Sequence, residues 1–346
     1  MRSEIRRRLD DKAINRVKMF DILSRLRDPS IFQGSLKKRG YFEGWYFKQV
    51  GPKGERKLAV IPGVSLTGGN NHAFIQVFDG YAGEAHYVSY DLEEFAPGKE
   101  PFSLRVGDSC FSLSGMDLEI PEPKINGSLR YSDHTRPGYR WYDRGIMGWY
   151  GYVPFMETYH GLLSMDHAVE GSLEMAGQCH VFDGGRGYIE KDWGRSFPSS
   201  WVWMQSNGFP EPKTSLMVSV ASIPMLGSAF VGHIAVMLVD GEIINMSTYM
   251  GGKIRSLNID GYGVSLKIET RSHVLEVEAR KGESIVLRSP RRGEMNGTTI
   301  ESLSSEVDMN LFSKSGQATL YSGTGVNAGL EIMDEDDELA RGLKLA

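Results

Sequence analysis

Between Tyr188 and Phe209 the chain reads YIEKDWGRSFPSSWVWMQSNGF, placing Glu190 and Asp192 among Trp193, Trp201 and Trp203. Acids beside indole faces suit an apolar pocket that hands over a proton and tolerates a cation. If two strands flank a turn over Gly194 to Ser200, alternation sets Tyr188, Glu190 and Asp192 on one side of the first. It sets Trp201, Trp203, Gln205 and Asn207 on one side of the second, and Lys191 faces the other way, toward an ion-pair partner. A second block, GYFEGWYFKQV over 40–50, gives Tyr41, Glu43, Trp45 and Phe47 a shared face. Each tryptophan is equally a normal core anchor of a β protein. Pattern alone leaves both readings open.

Taken with PFMETYHGLLSMDH (Pro154 to His167), the blocks GYFEGWYFK and YIEKDWGRSFPSSWVWMQSN resemble the tocopherol cyclase family. The resemblance runs from about Tyr41 to Phe209, and only β character is recognisable beyond it. It implies two lipocalin-like antiparallel β-barrels with a ligand cavity in or between them. The Gly44-Trp45 pair is also similar to the opening strand of lipocalins. The implied enzyme needs no cofactor and closes a chromanol ring on a prenylated hydroquinone. It protonates a trisubstituted alkene, holds a tertiary cation, and lets the phenol oxygen attack. The donor must be kept protonated by desolvation, and water must be excluded from the cation.

Glu190 is the candidate acid, because distantly related carotenoid hydratases place an alkene-protonating aspartate at its counterpart in YIEKDWG. Asp192 would raise the Glu190 pKa, orient the phenol, or simply accept backbone bonds near Gly194. Glu43 is the second candidate acid. Tyr41, Trp45, Phe47, Tyr188, Trp193, Trp201 and Trp203 would contact the substrate, with Gln205 as a polar orienter. Two further classes remain: a non-catalytic binder of isoprenoids or other lipophiles, and an alkene hydratase or pericyclase on the same scaffold.

The whole chain must position these groups. Its 346 residues are 40% hydrophobic and 24% charged, as in an ordinary globular protein. A net charge of -5 gives no electrostatic case for nucleic acid. Cys110 and Cys179 lack a zinc spacing and are too few for a disulfide framework, so a reducing cytoplasm is expected. The opening MRSEIRRRLDDK lacks the apolar core of a signal peptide. Residues 4–27 space Ile5, Leu9, Ile14, Val17, Phe20, Leu23 and Leu26 as one amphipathic helix, which Asp28-Pro29 ends. Its basic face suits peripheral contact with an anionic membrane. Asp10, Asp11 and Asp21 dilute that charge, and docking on its own domain is the alternative.

From Gly40 onward, short runs such as KLAVIPGVSL, HAFIQVFDG and HYVSYDLEEF alternate with turn residues, so the fold class expected is all-β. The Gly- and aromatic-rich stretch 134–155 reads as the crossing between two units. The expected division is a helix over 1–30, a first barrel over 31–150 and a second barrel with an acidic tail over 151–346. The tail after Leu330 carries no expected chemistry. Glu157, His160 and His167 match no zinc signature, so no metal is expected. Gly323 to Ala328 fits the dinucleotide fingerprint, but too few residues follow for the helix and second strand it needs. No nucleophile elbow or Walker loop occurs.

Overall fold

The computed structural model of the chain describes residue 25 and residues 28–98, 101–138, 145–154, 156–225, 228–316 and 318–344. The helix expected over 4–27 lies outside these apart from Arg25. Two antiparallel sheets account for nearly everything else. The first has twelve strands and the second ten.

In each sheet the chain makes a four-strand meander, leaves through one end, and returns to pair its last long strand with its first. The first sheet thus runs outward from Tyr41–Val50 through Lys57–Leu66 and His72–Asp79 to Glu84–Asp91. On the other side of Tyr41–Val50 come Gly185–Gly194, Thr158–Met175 and Ile125–Thr135. The end strands Glu84–Asp91 and Phe95–Pro97 are joined by the Leu92–Glu94 turn, which curls the sheet into a nearly closed barrel. The second sheet repeats the plan. Trp201–Ser206 is its central strand, with Ser215–Met225 on one side and Ala318–Met333 then Glu294–Ser313 on the other.

The change of sheet falls between Gly194 and Trp201, not at residue 150. The strands Thr158–Met175 and Gly185–Gly194 complete the first barrel, and the aromatic stretch before them only links two of its neighbouring strands. For the same reason the strands on either side of Gly194 are not a hairpin. Gly194 itself turns the chain out, with φ at 153° and the Glu157 carbonyl where a Cβ would sit, so only glycine fits. The chain after Leu330 continues as strand to Met333 before the short helix Glu338–Leu343. That helix buries Leu339, and its Glu338 accepts hydrogen bonds from Ser199, Ser200 and Ser222.

Three apolar clusters result. One fills the first barrel, with Trp45, Phe47 and Trp193. One fills the second, with Val202, Met204 and Leu330. The third lies in the seam where the two sheets pack, around Tyr46, Tyr188, Trp201 and Trp203. The period-two alternation of a strand divides these environments. Along Tyr41–Val50 the odd positions enter the first barrel and Tyr46 and Lys48 enter the seam.

Candidate active site

A cavity of about 180 Å3 opens in this seam. A single water needs only about 10–15 Å3 measured in this way, so the space suits an organic ligand. Phe42, Ile61, Phe74, Met147, Met156 and Leu287 supply apolar wall. Phe197, Trp201 and Trp203 supply aromatic faces. Set into this lining are His160, Glu190 and Asp192 from the first sheet, and Glu301 and Glu331 from the second.

Alternation in the strand Gly185–Gly194 brings Tyr188, Glu190 and Asp192 to the seam side, as the residue pattern requires. Trp201–Ser206 turns Trp201, Trp203 and Gln205 to the same side and sends Val202 and Met204 into the second barrel. The Tyr188 hydroxyl donates to Glu190 Oε2, and the Trp203 indole donates to the same oxygen at 3.2 Å. His160, which stands opposite Asp192 on the neighbouring strand, places Nδ1 2.8 Å from Asp192 Oδ1. Its Nε2 lies 3.1 Å from Glu190 Oε2, near enough for an ion pair though not aligned as a hydrogen bond. Burial alone would lower the His160 pKa. The Asp192 and Glu190 charges outweigh it and hold the imidazole well above its ordinary value.

His160, Glu190 and Asp192 each offer an atom within 4.8 Å of the others, as a metal site would require. With a carboxylate at each ring nitrogen, however, the imidazole is favoured as its cation, which keeps no lone pair for a metal. Such a set can pass a proton between the imidazole and either carboxyl. The opposite wall is different. Glu301 and Glu331 face each other across adjacent strands, Tyr46 donates to Glu301 Oε1 at 2.5 Å, and Trp201 donates to Glu331 Oε2 at 2.6 Å. Burial, with the Glu331 charge adding, holds Glu301 well above the usual carboxylate range. Burial also pushes Glu331 up to about 8, with Glu190 and Asp192 adding and the Trp201 hydrogen bond opposing.

The structure separates the residues expected to form one site. Glu190, Asp192, Trp201 and Trp203 line the cavity, and Tyr188 stands behind Glu190. Gln205 lies deeper in the seam, where its Oε1 accepts from Lys48 at 2.8 Å. Burial lowers the pKa of that lysine to about 7. Tyr41, Glu43, Trp45, Phe47 and Trp193 are inside the first barrel, on the far face of the same two strands. Glu43 is not an available acid, because it is fully buried against Lys191 at 2.5 Å. Tyr46, Glu301 and Glu331 escaped the sequence reading. Glu301 and Glu331 lie in long alternating strands without neighbouring aromatic clusters, and Glu331 adjoins the acidic tail in sequence. Each acid stands on the face of its strand that turns away from the second barrel and into the seam.

A tocopherol cyclase-like family model matches residues 114–333, which is more than half of the chain. The chain belongs to the tocopherol cyclase-like family. The family match takes in all of the second sheet, of which the sequence blocks reach only the strand Trp201–Ser206, and omits the GYFEGWYFK block of the first barrel. Chloroplastic tocopherol cyclase of Zea mays is 26% identical over 173 residues, covering 47% of this chain and 36% of the maize protein. A probable tocopherol cyclase of Oryza sativa subsp. japonica is 27% identical, covering 47% and 37%. The match thus spans little more than a third of these relatives. Among solved structures, CghA with Sch210972 superposes with a TM-score of 0.54 at 11% identity, over 84% of this chain and 88% of that one. This likeness establishes the shared lipocalin-like fold.

Proposed function

We propose that the protein is a tocopherol cyclase-like enzyme that isomerises a prenylated hydroquinone to a chromanol by acid–base chemistry in the seam cavity. One observation carries this reading. The His160–Glu190–Asp192 cluster stands in a chamber whose walls are largely apolar and aromatic and which carries a second acidic pair, Glu301 and Glu331, on the opposite side. The reaction needs a proton placed on the alkene and another removed from the phenol. It transfers no electrons overall. Apolar walls hold the prenyl tail folded over the ring and exclude the water that would trap the cation as an alcohol. Trp201 and Trp203 offer π faces to the tertiary cation. Every polar neighbour of Glu190 Oε2 is a donor, so the Glu190 carboxylate, with the His160 cation beside it, is assigned to the phenol end, where it takes up the proton.

The test is incubation with a series of prenylated dimethylhydroquinones, with chromanol followed by chromatography. Chromanol formation by the wild type, lost in Glu190→Gln, supports the reading. Tight retention of every quinol without conversion would replace it with the lipophile-binding alternative, and an alcohol product would replace it with a hydratase.

A further inference from the structure

We propose that Glu331, paired with Glu301 on the second sheet, is the proton donor to the substrate alkene. The inference rests on the cyclase reading above and divides its two proton transfers between the two walls of the cavity.

The argument begins with pairing. Glu43 is paired with Lys191, and Glu190 and Asp192 share His160. Among the described residues no ion pair involves Glu301 or Glu331. Their strands set them directly opposite one another, and each accepts a hydrogen bond from a neutral donor, Tyr46 or Trp201. Two carboxyls held together away from water cannot both ionise cheaply, so the pair retains a proton. The surrounding charges do not cancel this. Glu190 and Asp192 across the cavity add negative potential. Lys48 turns its ammonium to Gln205 and Asn327, His160 is engaged by its own two acids, and Arg288 lines the cavity with its guanidinium over Tyr87. The upward shift of both acids agrees with this geometry. A carboxyl that stays neutral at working pH opposite a charged acid–imidazole set is the arrangement that separates an acid from a base.

The step balances. The Glu331 O–H bond breaks as a C–H bond forms at the less substituted alkene carbon, leaving the cation on the tertiary carbon. The phenol oxygen forms the C–O bond, and its proton passes to the Glu190–His160 side. Product and substrate are isomers, so return of that one proton across the cavity resets the enzyme. Trp203 stands between the two walls: it is the cross-strand partner of Glu331 and the indole donor to Glu190.

Two measurements decide it. With a quinol that the wild type converts, Glu331→Gln should lower turnover by about 10²–10⁴-fold. Glu331→Asp should restore part of it, and wild-type turnover should fall as pH rises past about 8. In substrate-free protein, infrared spectra at neutral pH should show a protonated carboxyl band that Glu331→Gln or Glu301→Gln removes or displaces. Melting curves establish that each variant is folded. Wild-type conversion together with an unimpaired Glu331→Gln overturns the donor role alone, as does a carboxyl band unchanged in both variants. No chromanol from any prenylated quinol with the wild type overturns the cyclase reading and the donor role with it.

Discussion

Two acidic sites lie back to back on opposite faces of the strand Gly185–Gly194, and they have opposite characters. Inside the first barrel, Glu43 meets Lys191 at 2.5 Å and also accepts from the backbone of Gln33 and Gly34 and from Tyr41. Lys191 donates in turn to the carbonyls of Pro29 and Ile31 and sits 4.4 Å from the Trp45 ring. This network is satisfied on every side and ties residues 29–34 across the barrel. On the opposite face, in the seam, Glu190 and Asp192 meet Glu301 and Glu331 of the second sheet around one cavity, and His160 compensates the first two. Indole, acid and cation occur in both places. In the interior the cation beside the indoles is a lysine of the protein itself. In the seam, among the described residues, no lysine or arginine stands over Trp201 or Trp203, and on the proposed reading the substrate cation takes that place. The difference teaches that a full set of internal partners marks structure, and an unbalanced set beside open space marks chemistry.

The sharpest way to break the comparison is to neutralise the central acid of the seam. Glu190→Gln is expected to lower chromanol formation by about 10²–10⁴-fold while leaving the melting temperature near that of the wild type. Glu43→Gln should leave turnover per folded molecule unchanged. If Glu43→Gln stops the reaction in well-folded protein, the assignment of interior and seam is reversed.

The second prediction concerns stability. Lys191→Met leaves Glu43 buried without its cation, and removing one partner of such a pair costs about 3–5 kcal/mol. Denaturant unfolding should show this loss, and the double variant with Glu43→Gln should recover part of it. A cost below about 1 kcal/mol would mean that the pair behaves as an exposed one.

These two sites also show what the sequence could and could not disclose. The alternation of YIEKDWG correctly opposed Lys191 to Glu190, and strand-length runs between turn residues were enough to announce an all-β chain. Alternation cannot say which face of a strand meets ligand when both faces are buried. Trp45 and Trp201 therefore looked alike, although one packs in a barrel and the other lines the seam. Glu301 and Glu331 lie more than 90 residues beyond the tryptophan blocks. Only the pairing of Trp201–Ser206 with Ala318–Met333 brings them near. Likewise, nothing local in PFMETYHGLL reveals that His160 will stand opposite Asp192.

Acid titration distinguishes the sites more gently. His160, Glu301 and Glu331 all have raised pKa values in the folded protein, so the folded state binds more protons than the unfolded chain. Their stabilising contribution is therefore complete at low pH. It declines as pH rises from about 4.5 for the glutamates toward about 8 for Glu331, and from about 6.5 upward for His160. Lys48 acts oppositely above about 7, where its depressed pKa makes stability rise with pH. Each titrating group changes the slope by at most about 1.4 kcal/mol per pH unit. Between pH 5 and 7 this fall is opposed by His134, His167 and His233, whose pKa values burial lowers and which therefore make stability rise with pH. The test is thus the difference between proteins: Glu331→Gln should remove one downward contribution and give a more positive slope than the wild type. An unchanged slope would show that Glu331 titrates as it does in the unfolded chain.

The smallest effect separates the two indoles. Trp201→Phe keeps an aromatic face in the cavity but trims a cation–π contribution worth about 0.5–2 kcal/mol, so turnover should drop by roughly 2- to 30-fold. It also removes the hydrogen bond that Glu331 receives at 2.6 Å, a bond that opposes the upward shift of that acid. The alkaline limb of the rate profile should consequently move to higher pH even as the maximum falls. Trp45→Phe serves as the counterpart. Its indole donates to the Ser30 carbonyl at 2.7 Å and flanks Lys191, so its loss should lower the melting temperature and leave the shape of the pH profile intact. The paired pH–rate curves and melting curves therefore read the two faces of the strands independently. A displaced alkaline limb in Trp45→Phe, or none in Trp201→Phe, would show that the tryptophan governing the seam acid has been misassigned.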